Sequence, residues 1–155
     1  MSPLYEDEAS LSVERRIADR AAALDGCLFE KFPLWRHSRQ TQIEGQFRKE
    51  WSGRLVKLVE VKDRKHRIGE YETLIIDEEK LKTGLVWASL CREPFHVIIQ
   101  WENCCGSVEV TKERFREWRS AKGGREDRGD AHDIDVVKHI PCRLFRILWK
   151  GWVYA

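Results

Sequence analysis

Features that mark membrane, secreted or nucleotide-cofactor proteins are missing from this sequence. No apolar run approaches the roughly 20 residues that a membrane-spanning helix needs, so we expect no membrane span. The N-terminus carries Glu6, Asp7 and Glu8 and is not of a targeting type. Phosphate-binding loops, dinucleotide fingerprints, nucleophile motifs and internal repeats are also absent. These absences argue against the enzyme classes that depend on such motifs.

Cysteine spacing gives no disulfide framework and no metal site. The five cysteines form no CxxC pair, and Cys104-Cys105 has no second pair at the spacing of a zinc site. An odd number of cysteines in a chain without a secretion signal indicates reduced thiols. We therefore expect a cytoplasmic protein.

A charge excess of one sign is also lacking. The 28 basic and 26 acidic residues leave a net charge of +2. Total charge therefore gives no argument for binding nucleic acid, and only a local basic surface could provide one.

The sequence does have enough apolar residues for one folded unit. Its 155 residues are 42% hydrophobic, which predicts a single domain over 1–155. Helical and strand patterns alternate, so we predict an α/β fold with a central mixed sheet flanked by helices. The predicted helices start at Ser10 or Ser12 and run to 24, cover 78–91, and follow Thr111. The predicted strands cover 27–35, 41–48, 54–62, 73–76, 95–101, 107–110, 134–140 and 143–149, with a turn at Gly106 and a polar loop at 120–133.

Chemistry is indicated near the end of the strand 54–62. In Glu60-Val61-Lys62, residues two apart point to the same face, so a carboxylate and an ammonium project together. Glu44 lies on the preceding strand and can reach Glu60 if the two strands pair as a hairpin. Two carboxylates, Glu44 and Glu60, with a backbone carbonyl suit Mg²⁺ or Mn²⁺. Glu-x-Lys is common by chance, and a solvated strand face is the ordinary interpretation of the tripeptide alone.

The wider arrangement resembles the PD-(D/E)xK nuclease superfamily, particularly its small Holliday-junction-resolvase-like and phage-encoded members. The likeness is strongest in LVEVKDRKHRIGEYETLIIDEEKLKTGLVWASLCREPFHVIIQW, a strand with E-V-K, a basic loop, a short strand, a lysine-bearing helix and an apolar strand. It implies a restriction-endonuclease-like core over about 13–110, with a C-terminal extension over 111–155. It also implies that Glu14, Glu44, Glu60 and Lys62 are catalytic.

By this likeness the protein is a metal-dependent nuclease that cuts DNA, with branched or other structured DNA as a candidate substrate. One departure matters: the family's second acid is usually Asp, often after Pro, whereas Gln42-Ile43-Glu44-Gly45 offers Glu without Pro. The alternative is a catalytically inactive module that kept the fold and binds nucleic acid or a protein partner.

Basic residues surround the candidate site. Arg64, Lys65 and Arg67 follow Lys62 and can neutralise backbone phosphates, although a solvated loop is an equal interpretation. Lys80 on the following helix can point towards the site and contact DNA, but exposure to solvent is the ordinary expectation for it.

Seven tryptophans are many for a chain of this length. Trp87, Trp101 and Trp149 lie in apolar runs that predict core positions. Trp35, Trp51 and Trp152 flank turns or ends, which leaves base stacking or a subunit interface, and so a homodimer, open.

Overall fold

The computed structural model describes residues 8–33, 43–123 and 135–154. Its helices are α1 (Glu8–Leu24), α2 (Glu78–Cys91) and α3 (Lys112–Glu117). Its strands are β1 (Cys27–Lys31), β2 (Gly45–Lys49), β3 (Leu55–Asp63), β4 (Thr73–Asp77), β5 (Phe95–Gln100), β6 (Cys104–Val110), β7 (Arg119–Gly123), β8 (Asp135–Pro141) and β9 (Arg146–Lys150). Within the described residues, no helix is both long and apolar enough to cross a membrane.

Two sheets organise the strands. The larger has the order β1-β2-β3-β5-β6-β9, and the smaller has the order β4-β8-β7. In the larger sheet β3 and β5 are parallel, while the other neighbours are antiparallel. A parallel pair needs a crossover connection, which here contains β4 and α2.

The large sheet is covered on both faces. Ile17 and Ala21 of α1 belong to one core with Val59 and Val61 of β3. The opposite face contributes Leu58 and Phe95 to a second core, which includes Leu81 of α2, Leu74 and Ile76 of β4, and Ile140 of β8. The predicted α/β fold with a mixed sheet flanked by helices is confirmed.

Helix α2 packs directly on the large sheet at Gly84. Asp77 caps its N-terminus by accepting a 2.8 Å hydrogen bond from the Glu79 amide, as its position before an amphipathic segment predicts. Further along the helix, Gly84 lies against the Phe95 ring, and a Cβ at this position would overlap the ring carbons. The absence of a side chain at Gly84 therefore sets the height of α2 above β5.

Several predicted boundaries are wrong. The predicted strand 27–35 ends at Lys31, just before Pro33, and the predicted strand 41–48 begins at Gly45. The predicted loop over 120–133 begins too early, because Arg119–Gly123 forms β7 and pairs with β8. The polar composition of this segment gives little strand propensity, so the pairing partner determines its conformation.

Gly106 lies within β6 rather than in a turn, packed near Phe145 and Trp101. The predicted strand 143–149 begins instead with a short 3₁₀ helix at Cys142–Leu144. Trp35 and residues 124–133 lie outside the described residues.

Candidate active site

Strand β3 supplies the two side chains of the E-V-K motif. Alternation along the strand directs Leu58, Glu60 and Lys62 towards α2, while Val59 and Val61 face α1. Glu60 is fully buried, and Lys62 Nζ lies 3.7 Å from Glu60 Oε1. The structure therefore brings Glu60 and Lys62 together on one face, as the spacing predicts.

Glu44 is placed by the hairpin of β2 and β3. The two strands pair antiparallel with Gly45 opposite Val59, and continuing the register by one residue puts Glu44 opposite Glu60. Directly opposed residues of an antiparallel pair project to the same face. The predicted hairpin is confirmed, and both acids lie on the same side of the large sheet.

Lys31, at the end of β1, joins this cluster and was not singled out from the sequence. Its Nζ lies 3.4 Å from Glu44 Oε1, and the Glu44 side chain is only 10% exposed. The neighbouring amide of Phe32 donates to the Glu44 carbonyl at 3.0 Å. The sequence signal was weak, because Lys31 meets Glu44 only through the pairing of β1 with β2.

Lys80 enters the cluster from the first turn of α2. Its Nζ donates to Glu60 Oε1 at 3.2 Å, and its side chain is 22% exposed, so the expectation of a solvent-facing lysine is wrong. Burial lowers the pKa of Lys80, but the charge of Glu60, its hydrogen bond to Lys80 and the charge of Glu44 more than offset this and raise it. Lys80 is therefore a cation held near both carboxylates.

Glu60 is the most constrained member of the cluster. A buried carboxylate is costly unless charges or hydrogen bonds compensate it. Oε1 is near Lys62 and Lys80, whereas Oε2 has no hydrogen-bond partner in the part of the chain that the structure describes. One oxygen of Glu60 is thus compensated by lysines, and the other is available to a further positive group.

Glu14 lies on the other side of the sheet from these residues. It is 6% exposed on α1, and the helix packs on the Val59 and Val61 face of β3. Counting back from Leu24, Glu14 is about 15 Å along the helix, which is near the length of β1. Its catalytic role stays a prediction.

The basic loop after β3 presents its residues unequally. Lys65 and Arg67 are exposed to solvent. Arg64 is half-buried, and its guanidinium donates to the Ile75 carbonyl at 3.2 Å. Lys65 and Arg67 are accordingly the better placed for phosphates, while Arg64 also ties the loop to β4.

Metal ligands are few at this position. Among the described residues, no group of three or more His, Cys, Asp or Glu side chains is arranged to hold a metal ion. Mg²⁺ does not require one, because it is commonly bound by one or two carboxylates together with water and substrate phosphates. Glu44 and the unpartnered oxygen of Glu60 fit that smaller donor set.

Comparison with known proteins identifies a family for the chain. No curated protein matches the chain. A family model described as "Phage putative PDDEXK endonuclease" matches residues 1–148, which include both strands of the hairpin and all of α2. The match confirms the resemblance carried by Glu60-Val61-Lys62, and the chain belongs to this phage PD-(D/E)xK endonuclease family.

Proposed function

We propose that the protein is a divalent-metal-dependent endonuclease that hydrolyses phosphodiester bonds in DNA, including branched or otherwise structured DNA. The observation that carries the proposal is the meeting of Glu44, Glu60, Lys62 and Lys80 on one face of β3. Membership of an endonuclease family supports the same chemistry.

The charge balance of the cluster suits a phosphate. Lys31, Lys62 and Lys80 oppose Glu44 and Glu60, so these five side chains carry one net positive charge. The buried surroundings strengthen each electrostatic interaction relative to water. A phosphodiester anion would therefore be attracted even before a cation is bound.

Each residue has a role in the proposed reaction. Glu44 and Glu60 would hold Mg²⁺ or Mn²⁺, which when bound stabilises charge on the scissile phosphate and lowers the pKa of a water molecule. Lys62 would orient or deprotonate the attacking water, or stabilise the developing phosphorane charge. Lys80 would orient the Glu60 carboxylate through its hydrogen bond and add a second positive charge beside the phosphate.

The test compares the wild type with Glu60→Gln and Lys62→Ala on linear, flapped, branched and single-stranded DNA. We expect cutting only with Mg²⁺ or Mn²⁺, and a loss of roughly 10²-fold or more in each variant. Mn²⁺ affinity should fall in Glu60→Gln, because a ligand is removed, and should persist in Lys62→Ala. DNA binding should survive in both, because phosphate contacts elsewhere dominate affinity.

An exposed Glu–Lys pair on α2 provides the matched control. Lys82 Nζ lies 3.2 Å from Glu79 Oε1, yet both side chains are at least half exposed. Glu79→Gln and Lys82→Ala should cut like the wild type, and unfolding curves should show that all four variants fold. Persistent cutting in Glu60→Gln and Lys62→Ala would locate the chemistry elsewhere.

A second candidate function is a non-catalytic module that binds DNA or a protein. The observation that favours it is that lysines already accompany both carboxylates, at 3.4 Å for Lys31 with Glu44 and 3.2 Å for Lys80 with Glu60. It is the better account if no substrate is cut with either metal while binding is retained.

We also propose that the protein is located in the cytoplasm and forms a homodimer. All five cysteines are free thiols, which supports a reducing compartment such as the cytoplasm. A homodimer stays a prediction, and sedimentation of the purified protein at several concentrations would test it.

A further inference from the structure

An apolar recess opens beside the candidate site, between α2 and the first strands of the large sheet. Its volume is about 240 Å³. It is lined by Phe32, Pro33, Ile43, Gln46, Leu58, Trp87 and Cys91. None of these residues carries a charge, so the recess suits an uncharged, largely apolar group.

The recess adjoins the site through two elements. Leu58 precedes Glu60 by two residues on the same face of β3, a separation of roughly 6.6 Å. Lys80, Gly84, Trp87 and Cys91 follow one another at helical spacing on α2, so the row of side chains that carries Lys80 also reaches the recess. Ile43, next to Glu44, lines the recess as well.

Trp87 is the most informative residue of the recess. Its position in an apolar run predicts burial, but the residue is 48% exposed, so that prediction is wrong. Its ring lies beside that of Phe32, with centroids 6.5 Å apart and an interplanar angle of 32°. Two aromatic rings thus form an accessible wall within two helical turns of Lys80.

The aromatic wall of Phe32 and Trp87, with Lys62 and Lys80 nearby, favours a ligand that has both a flat apolar part and a negative charge. A nucleotide has a flat base and an anionic phosphate, and bases stack on aromatic side chains with little dependence on sequence. Leu58 and Glu60 are only roughly 6.6 Å apart along β3, so neighbouring parts of one DNA strand can contact both. A base one or two nucleotides from a phosphate at Glu60 would therefore reach the recess.

We infer that this recess binds one unstacked base of the DNA strand held at Glu60, so that the preferred substrate has unpaired nucleotides beside the scissile phosphate. The inference rests on the proposed function, because it needs DNA at the cluster of Glu44, Glu60, Lys62 and Lys80. A duplex keeps its bases stacked inside, so flaps, branch points and single strands are the substrate class that the recess fits.

The test is a scan with abasic nucleotides. Single-stranded substrates carry one abasic position in turn on either side of the cut, and cutting is compared between the wild type, Trp87→Ala and Trp87→Phe. We expect one abasic position to slow the wild type by roughly 5- to 150-fold, the worth of one stacked base. Trp87→Ala should cut every substrate at that reduced rate, and Trp87→Phe should restore much of the difference.

A binding measurement without cutting accompanies the scan. A short oligothymidylate carrying one 2-aminopurine should lose fluorescence on stacking in the wild type and in Trp87→Phe, but not in Trp87→Ala. Trp51→Ala is the matched control, because Trp51 is 98% exposed at the turn between β2 and β3, at the opposite end of the hairpin from Glu44. It should behave like the wild type.

The outcomes separate the two proposals. If the wild type neither cuts nor binds DNA, both the proposed function and this inference are overturned. If the wild type cuts but no abasic position matters, or if Trp51→Ala loses the effect instead, the recess proposal alone is overturned. The same holds if a protein side chain, rather than a base, is found in the recess. Should Trp87→Ala fail to fold, the wild-type scan and Trp87→Phe still decide.

Discussion

Lys80 on α2 donates a 3.2 Å hydrogen bond to Glu60 on β3, across the interface between helix and sheet. The contact joins two residues that are 20 positions apart in the chain. It places a second lysine beside the carboxylate of the E-V-K motif, so the position of α2 affects the charge at the site.

Replacing Lys80 with Gln should raise the affinity for Mn²⁺ while reducing the rate of cutting. Removing a positive charge near Glu60 leaves more of its negative charge for a cation. The effect is at least roughly 5-fold, the value for charges about 4 Å apart in water, and is larger where the site is partly buried. Calorimetric titration with Mn²⁺ measures the affinity. Lys82→Gln, two residues further along the helix and exposed, is the control. If Lys80→Gln binds Mn²⁺ no more tightly than the wild type does, the cation is not bound next to Glu60.

Gly84→Ala should destabilise the fold and weaken cutting together. The new methyl group would overlap the Phe95 ring and push α2 from the sheet, and overpacking of this kind costs about 1–3 kcal/mol. The same movement would separate Lys80 from Glu60. Denaturant unfolding is the measurement, with Ser89→Ala at an exposed position of α2 as control. A Gly84→Ala protein as stable as the wild type would show that α2 has room to move.

Replacing Lys65 and Arg67 with Ala should weaken DNA binding about equally for all sequences and flatten its dependence on salt. Both side chains are exposed, and each basic side chain that binds a phosphate adds about one released counterion to the salt slope. The double variant Lys112→Ala, Arg116→Ala removes the same charge from exposed positions of α3. Equal weakening in both double variants would show an effect of net charge and not of this loop.

Arg64 should behave differently from its neighbours. Its hydrogen bond to the Ile75 carbonyl suggests that Arg64→Ala costs stability of about 1 kcal/mol as well as affinity. Unfolding curves of the three single variants, measured beside DNA titrations, would separate the two effects. A loss of affinity without any loss of stability would give Arg64 the same role as Lys65 and Arg67.

His96 should make the fold less stable in acid. Burial lowers its pKa to about 4, helped by the charges of Lys57, Arg146 and Arg114 and opposed by Asp25. At a pH between about 4 and 6.5, His96 is protonated more readily in the unfolded chain than in the folded protein. Stability therefore falls as the pH drops through this range, by at most about 3 kcal/mol for this residue. His96→Phe should show a shallower dependence in unfolding experiments, and identical slopes would contradict the prediction.

The hairpin and the E-V-K motif could be predicted because they depend on local rules. Alternation along β3 fixes which of its residues share a face, and the turn at Ser52-Gly53 indicates a hairpin with β2. The exact register could not be predicted, because it shifts between Phe47 and Arg48. Without that irregularity, the pairing of Arg48 with Leu55 near the turn would place Glu44 opposite Val59 instead of Glu60. The family resemblance rests on a longer stretch, which begins in β3 with the E-V-K motif and continues through α2 and β5.

The orientation of α2 could not be predicted in the same way. Lys80 faces the site because α2 docks on β3 and β5, with Gly84 against Phe95, and Lys80 meets a residue 20 positions earlier in the chain, Glu60. The same docking leaves Trp87 half exposed. β7 shows the same limit, since its residues have little strand propensity and depend on β8. Long-range packing, rather than local pattern, determined each of these positions.

The parallel pairing of β3 with β5 determines at which stage of folding the candidate site is assembled. Lys80 lies on the crossover between those strands, so it meets Glu60 only after the crossover has closed and α2 has docked. Parallel pairings across long connections form slowly, because the loop must close before favourable interactions offset the entropy of closure. A nascent chain that has folded only its β2–β3 hairpin would hold both acids but lack the lysine from α2. Nuclease chemistry would thus be latent during synthesis and appear only with completion of the fold.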